Sequence, residues 1–153
     1  MKEKGVSILL TSLIMSIILA IGLGLSTILI QQTKMMTGIG YSVISFFAAE
    51  SGIEKVLFYD YQKIPDGGTR GLCDICNHCS EDGCQECQTT GTDYGTDCEL
   101  TSCKNCTITF YTDFDGKRYD ISAKVETIDT TSTTTIKSIG SYKGIKRAIK
   151  TQY

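Results

Sequence analysis

The uncharged run from Val6 to Ile30 constrains this chain more than any other feature. Lys2, Glu3 and Lys4 precede it, and Lys34 is the next charge after it. As an α-helix the run spans roughly 37 Å at about 1.5 Å per residue. The hydrocarbon core of a bilayer is roughly 30 Å thick. The run is too long for the apolar part of a secretory signal, and no Ala-x-Ala-like site follows it, so it is expected to stay as a membrane anchor. Lys2 and Lys4 before the run, against Lys34 alone closely after it, predict a cytoplasmic N-terminus. Residues from about 35 onward are then outside. An ordinary single-pass anchor would satisfy all of this.

Residues 34–64 are expected to continue the helix in amphipathic form. Met35, Ile39, Val43, Phe46 or Phe47, Ile53 and Leu57 recur at spacings near three and four, which makes one stripe. Gly22, Gly24, Gly38 and Gly40 interrupt the helical pattern, each costing about 1 kcal/mol relative to Ala. Pro65, the only proline, and Gly67-Gly68 end it. From Cys106 the period changes to two. Thr107–Tyr111 and Tyr119–Thr127 alternate around Asp115-Gly116, a two-residue hairpin signal. Thr134–Tyr142 and Ile145–Tyr153 alternate around Lys143-Gly144. The fold class read from this is α+β. A long N-terminal helix, membrane half plus amphipathic half, packs its stripe on a small antiparallel four-stranded sheet, with a Cys-rich irregular loop between. The segments are 1–5, a leader; 6–33, the membrane-spanning helix; 34–64, its amphipathic continuation; 65–105, the Cys-rich loop; and 106–153, the sheet.

All eight cysteines lie in or beside that loop: Cys73, Cys76, Cys79, Cys84, Cys87, Cys98, Cys103 and Cys106. Three chemistries fit their spacing. Paired C-x2-C elements suit a tetrahedral zinc site. The first four cysteines approximate a bacterial iron–sulfur run, with a last spacer one residue too long and no Pro after it. An even number of cysteines in a segment expected outside the membrane suits a disulfide framework, which leads the three. The remaining outside domain is small for a self-sufficient core and needs such staples. His78, the only histidine, is better read as a solvated loop residue than as a ligand. Residues 74–106 are strongly acidic, with Lys104 their only base, whereas Lys143, Lys146, Arg147 and Lys150 lie near the C-terminus. The formal net charge of −2 gives no sign of nucleic-acid binding. No P-loop, dinucleotide fingerprint or convincing nucleophile set is present, so no enzyme and no cofactor is expected.

Lys4-Gly5 followed at once by the apolar run resembles the leader of type IV pilin-like proteins. Phe46-Phe47-Ala48-Ala49-Glu50-Ser51-Gly52-Ile53-Glu54 resembles the Ala-Ala-Glu-x-Gly-x-Glu stretch of members with a PilX-type N-terminus. Ser138-Ile139-Gly140-Ser141-Tyr142 with Lys146-Arg147 resembles that group's closing hairpin. The resemblance covers residues 1–62 well and 106–153 loosely, and leaves out the Cys-rich middle. It implies cleavage between Gly5 and Val6 by a prepilin peptidase and N-methylation of Val6. It also implies residence in membrane lipid before assembly, then assembly with other pilin or pseudopilin subunits into an extracellular filament. Most major pilins carry a Glu five residues into the mature helix; Leu10 stands there instead. The resemblance therefore points to a minor, tip-type subunit of a type IV pilus or a type II secretion pseudopilus. The alternative, from another class, is a permanently anchored surface protein whose Cys-rich loop binds zinc or another ligand.

Overall fold

The computed structural model describes residues 3–79, 81, 83–91, 98, 103–128 and 131–153, with side chains from Ser7 onward. Two compact units divide the chain, Met1–Ile39 and Gly40–Tyr153. Helix α1 spans Glu3–Gln62. In the first unit α1 is the whole structure, and its large apolar side chains from Ile8 to Ile30 are exposed. The hydroxyls of Thr11, Ser12, Ser16, Ser26 and Thr27 are satisfied inside the helix. Thr11 donates to the Ile8 carbonyl, Ser26 to the Gly22 carbonyl and Thr27 to the Gly24 carbonyl, at 2.7–3.0 Å. Back-bonding of this kind lets a helix carry Ser and Thr where no water is available.

The second unit is α+β, as expected. The C-terminal part of α1 packs on an antiparallel meander in the order β1-β2-β3-β4-β5. The strands are β1 (Cys84–Gly91), β2 (Cys106–Phe114), β3 (Lys117–Ile128), β4 (Thr131–Tyr142) and β5 (Ile145–Gln152). The period-two pattern fixes which face is inward. Ile108 and Phe110 of β2, Tyr119, Ile121, Ala123 and Val125 of β3, and Ile136 of β4 are buried under the helix. Asp115-Gly116 and Lys143-Gly144 form tight two-residue hairpin turns. All four residues have positive φ, from 45° to 81°, as a type I′ turn requires.

The sheet has five strands rather than four. The additional strand, β1, lies inside the segment expected to be an irregular loop. It reads Cys-Gln-Glu-Cys-Gln-Thr-Thr-Gly, is an edge strand with mostly exposed side chains, and carries an irregularity between Gln85 and Gln88. An edge strand with nothing to bury leaves no alternation in the sequence to read.

A second correction concerns which face of α1 meets the sheet. Of the expected stripe, only Ile53 and Leu57 touch the core. Phe46 and Phe47 are 47% and 58% exposed. The buried face is instead Ser45, Ala48, Ala49, Gly52, Val56 and Tyr59. The reason is steric. Gly140 of β4 lies so close to the helix that a Cβ there would overlap the Ser45 carbonyl oxygen and crowd the Ala49 nitrogen. A Cβ on Gly52 would fall 2.6 Å from both Ile121 Cδ1 and Ser138 Oγ. Only small side chains fit such a seam, so hydrophobicity alone chose the wrong face. Ser45 Oγ donates across the seam to the Ile145 carbonyl at 2.9 Å, and Arg147 Nε donates to Ser42 Oγ at 2.7 Å.

Gly140→Ala is therefore expected to cost about 3 kcal/mol or more, because backbone faces backbone and no rotamer change relieves the overlap. Ser138→Ala is expected to be neutral or stabilising by up to about 1 kcal/mol, since Ser138 Oγ is buried without a hydrogen-bond partner. Chemical unfolding of the two variants in detergent, followed by circular dichroism, measures both.

Candidate functional site

Three features stand out beyond the sheet core. The first is the outward face of α1. Val43, Phe46, Phe47, Phe58 and Tyr61 are exposed, with Glu50 and Glu54 among them. Apart from the adjacent Phe46 and Phe47, successive members lie three or four residues apart, so they form one stripe opposite the Ala/Gly seam. Beside this stripe, Ile44, Phe47, Ala48 and Ser51 line a shallow cavity of about 270 Å³ with Phe114 and Lys117.

The second feature is a covalent module. All eight cysteines are paired: Cys73–Cys103, Cys76–Cys87, Cys79–Cys84 and Cys98–Cys106. A one-turn 3-10 helix (Leu72–Asp74) leads into a short helix, α2 (Ile75–His78), and then into β1. Leu72 and Ile75 are fully buried and join Val56 and Tyr59 of α1. The middle segment is thus part of the core and not only a solvated excursion. Cys73–Cys103 closes 30 residues and stabilises by about 3–4 kcal/mol in the chain-entropy picture; Cys79–Cys84 closes 5 and gives about 2 kcal/mol. His78 is half exposed, with Nε2 3.2 Å from Asp74 Oδ2 and its ring stacked near Tyr59. Of the segment's acids, Asp82, Asp93, Asp97 and Glu99 lie outside the described residues.

The third feature is a buried ion pair that sequence reasoning missed. Asp60, at the end of α1, is buried. Arg70 forks onto it, Nε at 3.0 Å from Oδ1 and a terminal nitrogen on Oδ2. The Tyr153 hydroxyl donates to the same Oδ2 at 2.7 Å. The Asp60 carbonyl accepts from the Gly71 amide at 3.2 Å. The helix end, the approach to the Cys module and Tyr153 therefore meet at one residue, Asp60. Burial, with the Asp60 hydrogen bond and charge next, pushes the Tyr153 phenol well above its usual value. Tyr153 as a residue is over a third exposed, but its oxygen sits on Asp60, where the desolvation acts. Asp60, Arg70 and Tyr153 each read as ordinary surface residues, and separations of 10 and 93 positions leave no local signal.

Gly5 and Val6 lie in α1, and beyond their backbone they fall outside the described part. Leu10 is exposed on the apolar helix. From Ser7 onward the helix is long and apolar enough to cross a membrane. Comparison with protein-family models, curated proteins and solved structures finds no match.

Arg70→Met should destabilise the protein by about 3–5 kcal/mol, because it leaves a buried carboxylate unpaired. Tyr153→Phe should cost about 1 kcal/mol. The raised Tyr153 pKa has a definite sign: its stabilisation is complete below about pH 10, the free phenol's value, and is lost as pH rises from there. Alkaline difference spectroscopy should find one tyrosine that ionises only with unfolding, and Tyr153→Phe should abolish that late step.

Proposed function

We propose that this chain is a structural minor subunit of a type IV pilus or a type II secretion pseudopilus. In this reading it sits in the cytoplasmic membrane with its N-terminus inside. A prepilin peptidase cleaves it after Gly5, and its N-terminal helix then carries it into a filament at the cell surface.

The observation that carries the reading is the use made of α1. Its first half is an exposed apolar helix, and its second half seats a small-residue face on a meander while turning Phe46, Phe47 and Phe58 outward. In this reading the domain lies outside the membrane, and its exposed aromatic groups, Phe46 and Phe47 before Glu50 and Glu54 and Phe58 and Tyr61 after them, call for a partner. Neighbouring subunit helices would cover them and the Val6–Ile30 segment alike. Exchanging lipid for packed helices replaces one apolar environment with another, so the transfer costs little free energy. Further support comes from the seam. Two of the three stretches that resemble pilin-like sequences, Phe46–Glu54 and Ser138–Tyr142, meet there through Ala48, Ala49 and Gly52. Leu10 cannot pair with a neighbour's N-terminal ammonium, and a buried unpaired ammonium is costly. That favours low copy number and a tip position.

Mass spectrometry of protein from membranes should find a chain starting at N-methylated Val6, and Gly5→Leu should leave uncleaved precursor. Normal processing and assembly of Gly5→Leu would overturn the reading. Phe47→Asp should change stability by no more than about 0.5 kcal/mol yet reduce filament incorporation several-fold by quantitative immunoblot. Long homopolymers of the unmodified protein would contradict the minor-subunit assignment.

A further inference from the structure

Two of the four disulfides converge on one point. Cys76 and Cys79 make one C-x2-C pair, on and just after α2, and Cys84 and Cys87 make another at the start of β1. Neither pair bridges internally. Both bridges run across, Cys76–Cys87 and Cys79–Cys84, so one nests inside the other. The Sγ atoms of Cys79, Cys84 and Cys87 all lie within 4.8 Å of one another, and Cys76 is bonded to Cys87. Three clustered sulfurs, with a fourth bonded to one of them, supply the donor number that a single tetrahedral ion needs.

The backbone is shaped for the same convergence. In a regular strand Cys84 and Cys87 would point to opposite faces, being an odd number of positions apart. Between Gln85 and Gln88 the register slips by one residue against Tyr111 and Thr109, which removes that opposition. Glu86, a non-glycine residue, takes φ 51° to make the slip. Left-handed geometry in such a residue costs roughly 1 kcal/mol or more and persists where the surroundings demand it. The amide of Cys84 donates to the Cys79 carbonyl at 2.9 Å and closes the turn between the two pairs. Cys79 and Cys84 are buried while Cys76 and Cys87 are half-buried, so the cluster has one accessible side.

We propose that in the thiol form Cys76, Cys79, Cys84 and Cys87 bind one zinc ion as a tetrathiolate site. Zinc–sulfur bonds of about 2.3 Å place tetrahedral sulfurs roughly 3.8 Å apart; once the Cys79–Cys84 and Cys76–Cys87 bonds are opened, side-chain rotation separates the bonded sulfurs to that spacing within the same cluster. Every chain passes through the thiol form before it is oxidised. Four cysteine thiols bind Zn²⁺ and release four protons. Conversion to the bridged form transfers two electrons per bridge to a small-molecule disulfide, which becomes two thiols, and releases the ion. The remaining cysteines, Cys73, Cys98, Cys103 and Cys106, lie outside the cluster and pair among themselves. Masking four of eight thiols cuts the possible pairings from about 105 to about 3, so the zinc-bound chain is directed toward the observed connectivity.

The test uses the full chain in detergent micelles, reduced with a phosphine under anaerobic conditions and titrated with Co²⁺ and then Zn²⁺. The expected result is one equivalent of Co²⁺ with the visible bands and thiolate charge-transfer absorption of a cobalt tetrathiolate, displaced by one equivalent of Zn²⁺. Cys79→Ser and Cys84→Ser should each weaken binding at least tenfold and alter the spectrum. Cys98→Ser combined with Cys106→Ser should leave both unchanged. The oxidised protein should bind no metal. Absence of the thiolate–cobalt bands in the reduced chain would overturn the proposal. So would equal losses in the Cys79→Ser chain and the Cys98→Ser, Cys106→Ser chain, which would mean that the thiols bind metal without a defined site.

Discussion

The second unit depends on how closely α1 approaches β4. At Gly140 the strand backbone lies against the helix backbone, with Ser45, Ala48 and Ala49 nearest on the helix side and Gly52 one turn on, against Ser138. Dispersion energy falls steeply with separation, so a seam of small residues gains contact that larger side chains would hold apart. The arrangement also sets register. Ile121 and Ser138 flank Gly52, and Tyr142 meets Tyr41 edge-on with ring centroids 5.4 Å apart. A shift of the helix by one residue would bring Phe47 against Gly140, or Ile53 against Ile121 and Ser138, where neither fits. The seam thus decides which side chains of α1 are left outside.

That division explains what was legible in the sequence and what was not. Tight hairpins at Asp115-Gly116 and Lys143-Gly144 were readable because positive φ at both positions of a two-residue turn demands a narrow set of residues. The strands β2 to β4 were readable because one face is buried and the other is not. The helix face was misread because periodicity reports amphipathicity, whereas a glycine-to-alanine seam is set by distance of approach. Val56 and Tyr59 supply the large buried side chains of α1, and they lie past the seam toward the Cys module. Disulfide bonding followed from expected placement and an even count of cysteines, but connectivity did not. It depends on the one-residue slip in β1, which no propensity encodes.

The exposed edges of the sheet are managed differently at its two sides. On β5, Lys146, Arg147 and Lys150 stand on or beside the open edge, where charge discourages pairing with another chain. The basic C-terminal cluster therefore has a structural explanation that needs no anionic ligand. On β1, the Cys76–Cys87 and Cys79–Cys84 bridges and the irregularity at Glu86 twist and tether the edge. Both devices leave the apolar face of α1 as the surface with the strongest drive to associate.

The cysteine module and the Asp60 ion pair solve one problem in two ways. The chain leaves α1 at Gln62 and must return along the sheet without a second helix to cover that end of the core. Leu72 and Ile75 provide the apolar cover, but a 3-10 turn and a single helical turn are too short to hold themselves in place. Cys73–Cys103 ties the cover to the residues that enter β2, and Cys98–Cys106 ties the preceding segment to the first residue of that strand. Arg70 holds the approach to the module against Asp60, and Tyr153 closes the same carboxylate from β5's end. A buried charge pair contributes little net stability over apolar packing, since desolvation offsets its attraction. Its value is geometric: a forked guanidinium, a phenol and a carboxylate satisfy one another in a single arrangement. Covalent bridges restrict the unfolded chain, and the ion pair selects among the compact states that remain. Neither device alone would both retain the cover and orient it against Val56 and Tyr59.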